Sequence, residues 1–160
     1  MDELSIRRAK KYMDSGLELV ARGLLKEARE RFKSSAGSHV TSDALTYWGW
    51  MEHRLGNTAL AIMLCHRAIK VDPDFGNPYN DIGSYLISLG KPDQAIPWLE
   101  KAVSAKRYEP RQFPHLNLGR IYLAKGHLLR AAKEFTAALQ HCPHDLEILR
   151  LLSSIQTSIH

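Results

Sequence analysis

The chain has 160 residues, 44% hydrophobic and 24% charged, with a net charge of +5 before its eight histidines are counted. That composition suits one packed domain or a short repeat array, and its seven prolines and ten glycines are too few for a linker-rich or disordered protein. No apolar run approaches the roughly 18–20 residues of a membrane helix, and two distant cysteines, Cys65 and Cys142, make no disulfide framework.

The first segment, "MDELSIRRAKKYMD", has neither the apolar core of a secretory signal nor a cysteine that could take a lipid. A soluble cytoplasmic protein is therefore expected. Asp2 is placed to cap a first helix. The net positive charge mildly favours anionic partners, but the basic residues are scattered. Their one dense cluster, Arg7, Arg8, Lys10 and Lys11, reads as a solvated helix face before it reads as an anion site.

From here the chain repeats itself. Gly16, Gly49, Gly83 and Gly119 are separated by 33, 34 and 36 residues. The same intervals relate Gly23, Gly56, Gly90 and Gly126, and again Ala28, Ala61, Ala95 and Ala131. A bulky column follows as Phe32, Cys65, Leu99 and Phe135, and a small one as Ser35, Ala68, Ala102 and Ala138. The second glycine suits the left-handed position just past a helix end. After it runs an amphipathic helix: "LLKEARERFKSS", "TALAIMLCHRAIKV", "PDQAIPWLEKAVSA" and "LLRAAKEFTAALQH". The first glycine and the alanine are expected where two antiparallel helices cross most closely. Tighter packing there offsets the ~1 kcal/mol that an interior glycine costs a helix.

Fragments such as "NPYNDIGSYLISLGKPDQAIPWLEKAV" and "PHLNLGRIYLAKGHLLRAAKEFTAALQHCP" carry this pattern most fully, with Pro73 and Pro143 between units. In these features the chain resembles the tetratricopeptide repeat family, whose unit is a helix-turn-helix of about 34 residues. The resemblance covers about residues 9–145. It implies an all-α, right-handed superhelix of four repeats, at about 9–41, 42–75, 76–111 and 112–145. The first copy is the most degenerate, with Ser15 and Ser35 in it and no closing proline. The final segment, "LEILRLLSSIQTSI", residues 146–159, reads as a capping helix, with Leu146, Leu149, Leu152 and Ile155 on one stripe. Nine helices are expected. The longer interval before the fourth copy puts an insertion in "KRYEPRQFP", hence a longer connection. At this joint, over one loop, the chain looks similar to some bacterial pilus-assembly repeat proteins.

No phosphate loop, dinucleotide fingerprint or nucleophile elbow is present, so no enzyme activity and no cofactor are expected. In "HCPH", His141, Cys142 and His144 are possible metal ligands, but a turn closed by Pro143 is the favoured reading and no metal site is assigned. Cys65 lies in a core column and reads as a small hydrophobe. Trp48 shares a column with Ile82 and Leu118 and is expected in the core. Glu52 falls where Leu19, Leu86 and Tyr122 stand. Either this helix is rotated so that Met51 serves the core, the favoured reading, or Glu52 is buried and paired with a basic neighbour.

The family resemblance implies that the first helix of each pair lines a concave groove. Carried over by column, that face holds Lys10, Met13, Asp14 and Leu17, then Asp43, Thr46, Tyr47, Trp50, His53 and Arg54. It continues with Asn77, Asn80, Asp81 and Ser84, then Phe113, Leu116, Asn117 and Arg120. The partner-binding candidates among these are Tyr47, Trp50, Arg54, Asn77, Asn80, Ser84, Phe113, Asn117 and Arg120. Rings with amide and guanidinium donors suit an extended peptide. Chaperone-docking members of the family grip a terminal carboxylate with basic residues. The matching positions here are Met13, Leu17, Tyr47, Asn77 and Asp81, or, one copy on, Thr46, Trp50, Asp81, Phe113 and Asn117. Neither set is basic, which argues against that use. The leading expectation is an adaptor for a protein or peptide partner, with no membrane or nucleic-acid role. The alternative is a self-associating structural subunit forming a homo-oligomer.

Overall fold

A computed structural model describes residues 2–159. Among these residues the chain forms nine helices. They are α1 (Glu3–Ala21), α2 (Leu25–Ser38), α3 (Ser42–Arg54), α4 (Thr58–Val71), α5 (Asn77–Ser88), α6 (Pro92–Ser104), α7 (Gln112–Ala124), α8 (Leu128–Leu139) and α9 (Leu146–Ile159). Local chemistry sets several of the starts. Asp2 Oδ1 accepts the Leu4 N–H at 3.0 Å, and Thr41 Oγ1 accepts that of Ala44 at 3.1 Å. Asp145 Oδ1 accepts both the Glu147 and Ile148 N–H groups, at 2.9 and 3.1 Å. At the other ends Gly23, Gly56, Gly90 and Gly126 all have positive φ, between 72° and 94°, where a side chain is strained.

The helices of each pair, α1–α2, α3–α4, α5–α6 and α7–α8, pack most heavily on each other, and the second helix of each pair then packs on the helix that follows it, α9 included. The recurrent columns meet at those contacts. A Cβ built on Gly16 would lie 2.5 Å from the Phe32 ring, one on Gly83 2.5 Å from Leu99, and one on Gly119 2.5 Å from the Phe135 ring. On Gly49 it would sit 3.1 Å from the Ala61 carbonyl oxygen. The alanine and bulky columns are fully buried. The degenerate first copy is repaired locally: buried Ser35 donates its hydroxyl to the Ala9 carbonyl at 2.8 Å. The result is an all-α solenoid in which α5 also touches α3 and α7 along the inner face.

Three expectations need correction. On α9 the buried positions are Ile148 and Ile155, with Leu151 and Leu152 partly buried, all packed on Phe135 and Ala138 of α8. Leu146 and Leu149 face solvent: a stripe stepped by three drifts round the helix and puts Leu146 opposite Ile155, whereas Ile148, Leu151, Leu152 and Ile155 keep the i, i+3, i+4, i+7 spacing of one face. In α3 rotation alone does not resolve Glu52. Met51 is fully buried as expected, but Glu52 is buried too, only 5% exposed. Its carboxylate accepts from Trp48 Nε1 at 3.0 Å and from Asn57 Nδ2 at 2.7 Å, with Arg29 Nε 3.9 Å away. Trp48 is accordingly only partly buried, bridging two apolar clusters.

The connection from α6 to α7 is the long one the insertion implied. It folds back onto the α4–α5 turn. Gly76 N–H donates to the Arg107 carbonyl at 2.8 Å, and Arg107 N–H to that of Asp74 at 3.0 Å. Tyr108 and Ala105 press so closely on Gly76 that a Cβ there would lie 2.7 and 2.9 Å from them.

Candidate partner-binding groove

The inner helices and this folded-back connection enclose an open groove of about 680 Å³. It is lined from α3 by Asp43, Thr46, Tyr47 and Trp50, from α5 by Asn77, Asn80, Asp81 and Ser84, and from α7 by Phe113 and Asn117. Seven of the nine sequence candidates therefore converge: Tyr47, Trp50, Asn77, Asn80, Ser84, Phe113 and Asn117. Arg54 and Arg120 are not among the lining residues. The Arg54 guanidinium lies 5.8 Å over the Trp50 ring, while Arg120 reaches α9 to pair with Glu147 at 2.5 Å. On the same predicted face, Met13 and Leu116 instead join apolar clusters.

The sequence reasoning missed five lining residues: Phe75, Arg107, Tyr108, Glu109 and Pro110. One signal was available: Gly76 belongs to none of the repeat columns, and it is the glycine on which the connection rests.

The side chains are held in place by their own neighbours. Tyr47 stacks on Phe32 at 5.2 Å and meets Trp50 edge-on at 6.3 Å, which fixes two rings on one wall. Asn117 donates to Asn80 Oδ1 at 3.1 Å across the α5–α7 seam, and Asn77 Nδ2 donates to the Glu109 carbonyl at 3.3 Å. Asn77 Oδ1 is buried with no donor among the described residues. Arg107 lies 3.9 Å over the Phe75 ring and is bound by Asp72 at 2.7 Å and Asp43 at 3.4 Å. That hydrogen bond holds Asp72 below the usual carboxylate range. Asp81 keeps some surface open to the groove, yet burial pushes its carboxyl up to about 7 against the pull of the Asn80 amide. Burial, then the charges of Asp43 and Asp81, raises the Tyr47 phenol. Burial, followed by the charge of Asp81, pushes the Cys65 thiol well up, so it stays protonated.

Residues 77–108, spanning α5 and α6, match the family model for the tetratricopeptide repeat. PilF of Pseudomonas aeruginosa has a similar structure, with a TM-score of 0.88 at 17% identity over 98% of this chain and 71% of that one. PilW, described as a widely conserved type IV pilus biogenesis factor, gives 0.82 at 16% identity over 98% and 70%. This is a tetratricopeptide repeat fold. YrrB, described as a tetratricopeptide repeat protein with an unusual peptide-binding site, gives 0.67 at 19% identity over 92% of this chain and 75% of that one. No curated protein matches the chain by sequence.

Among the described residues no cluster of three or more histidine, cysteine or acidic side chains is arranged to hold a metal. In "HCPH", Cys142 Sγ donates to the Ala138 carbonyl at 3.2 Å, and His141 stacks on His115 at 6.2 Å. No helix among the described residues is long and apolar enough to cross a membrane.

Proposed function

We propose that the protein is a non-enzymatic adaptor that seats an extended segment of a partner protein in the groove of α3, α5 and α7. One observation carries the reading: three successive repeats present two fixed rings, a further exposed ring (Phe113) and amide groups to a single cavity sized for side chains. Rings supply anchoring area, and amides complete the hydrogen bonds of an extended backbone. The peptide-binding site named for YrrB, which has the same fold, supports this use. Two unpaired thiols, Cys65 and Cys142, fit a reducing cytoplasmic setting.

Selection of a displayed random-peptide library on the full chain tests it. Selected peptides are expected to lose about 2 kcal/mol of affinity with Trp50→Ala. They should be indifferent to Leu129→Ser, a change at a side chain 78% exposed on the distant α8. Equal effects of the two substitutions would refute the assignment.

The alternative, self-association, draws on the exposed apolar side chains of Leu129, Leu146 and Ile159 near the C-terminal end of the stack. A monomer by light scattering at micromolar concentration excludes it.

A further inference from the structure

The chain is basic overall, but its groove is not. Asp43, Asp81 and Glu109 line the groove, against one cation among the described lining residues, Arg107. Arg107 is already committed to Asp72 and Asp43, and Glu109 lies 3.9 Å from Arg111. Asp81 has no such partner: no cationic side chain among the described residues pairs with it, and its neighbour Asn80 supplies one amide. It sits in the cavity with the rings of Tyr47, Trp50 and Phe113, which also attract cations. Nearby Asn77 Oδ1 is a buried acceptor without a donor. A carboxylate open to the groove, an unfilled acceptor and aromatic faces all ask for the same ligand chemistry, a group rich in N–H donors with positive charge.

We propose that Asp81 receives the lysine or arginine side chain of an extended partner segment lying along α3, α5 and α7. The inference rests on the groove being the partner seat and specifies what must sit at its floor. A buried carboxylate without a counter-charge is costly to keep ionised, and a partner cation removes that cost on binding. Affinity therefore follows the ionisation of Asp81 and falls as it becomes protonated.

The groups around it are Asp43 and Tyr47 from α3, Cys65 from α4, Tyr85 on its own helix, and Arg107, Tyr108 and Glu109 from the connection, with His53 of α3 stacked behind Tyr85. Burial raises the Tyr47, Tyr85 and Tyr108 phenols and the Cys65 thiol, which stay neutral across the physiological range. His53, stacked 4.3 Å from Tyr85, is lowered by burial and by Arg54, so it titrates below its ordinary range. It gains charge at the acid end, so His53→Gln is needed as a control.

The probe is a set of short acetylated, amidated peptide pools with one central position fixed as Lys, Arg, Gln, norleucine or Glu, measured against the full chain by fluorescence anisotropy. At about pH 8 the Lys and Arg pools should bind about tenfold more tightly than the Gln pool. That preference should shrink to within about twofold at about pH 5.5, in wild type and in His53→Gln alike, and be missing in Asp81→Asn. Pools that lose binding with Trp50→Ala but show no Lys or Arg preference would overturn the cation seat and leave the groove reading standing. So would a preference that Asp81→Asn leaves intact. No pool sensitive to Trp50→Ala would overturn both. If Asp81→Asn does not fold by circular dichroism, the pH response of wild type and His53→Gln decides: a preference that acid leaves unchanged refutes the proposal.

Discussion

Replacing Gly119 by alanine sets two effects of similar size against each other. In an unencumbered helix interior the change stabilises by about 1 kcal/mol, because alanine loses less backbone freedom. In α7 the new Cβ would lie 2.5, 2.7 and 2.9 Å from three atoms of the Phe135 ring, where real contacts are essentially never seen. That ring is fully buried among Leu116, Ala131, Ala138, Ile148 and Ile155, so it cannot swing aside. Overpacking of this kind costs about 1–3 kcal/mol, so a net loss of about 1 kcal/mol is expected. Gly37, in the last turn of α2, supplies the control: a Cβ added there would meet nothing within 4 Å, and Gly37→Ala should stabilise by about 0.5–1 kcal/mol. Urea midpoints of the two variants against wild type, each with an unchanged slope, measure both signs. Adding Phe135→Leu to Gly119→Ala should recover part of the loss, a coupling of about 1 kcal/mol. If Gly119→Ala stabilises as much as Gly37→Ala, close helix approach is not why glycine recurs in this column.

Asp81 makes stability depend on pH with a definite sign. Its carboxyl is pushed up to about 7 in the fold, above its ordinary range near 4, so its contribution is complete below the unfolded value and is lost as pH rises through about 7. Asp81→Asn should be more stable than wild type at about pH 8 by roughly 2–3 kcal/mol, with the gap closing toward about pH 5 in urea titrations; a constant gap would contradict the assignment. Glu52→Ala leaves the Trp48 Nε1–H and the Asn57 amide without their acceptor and should cost about 2–3 kcal/mol by thermal unfolding, against about 1 kcal/mol for Glu52→Gln. Ile148→Ala should cost about 2–4 kcal/mol and speed amide exchange in α8 as well as α9, since both helices share that buried contact; exchange confined to α9 would show that the last helix stabilises only itself.

The repeat was legible because its physics is local and periodic. A small residue wherever two rods approach, and glycine wherever the chain turns left-handed, leave marks at a fixed interval, and four copies make the interval plain. The inner face followed from the same register, which is why Tyr47, Trp50, Asn80 and Asn117 share one cavity. What escaped was non-periodic. The connection between α6 and α7 returns to the α4–α5 turn through contacts about one repeat away in sequence, with Arg107 reaching Asp72, and about two repeats away to Asp43 of α3. No column predicts them. Arg120 lies in the correct column, but α9, which has no counterpart in the other copies, draws it to Glu147. Glu52 contradicts an apolar column, and its partners, Trp48 one turn back and Asn57 past the helix end, are supplied by the geometry of that turn.

Chemical-shift mapping of the isotope-labelled full chain, titrated with a peptide selected on it, tests the groove most directly. Amide shifts should concentrate on α3, α5, α7 and residues 105–111, with the Trp50 indole N–H among the strongest. Shifts gathered instead on α2, α4 and α6, or on α9, would contradict the proposed seat.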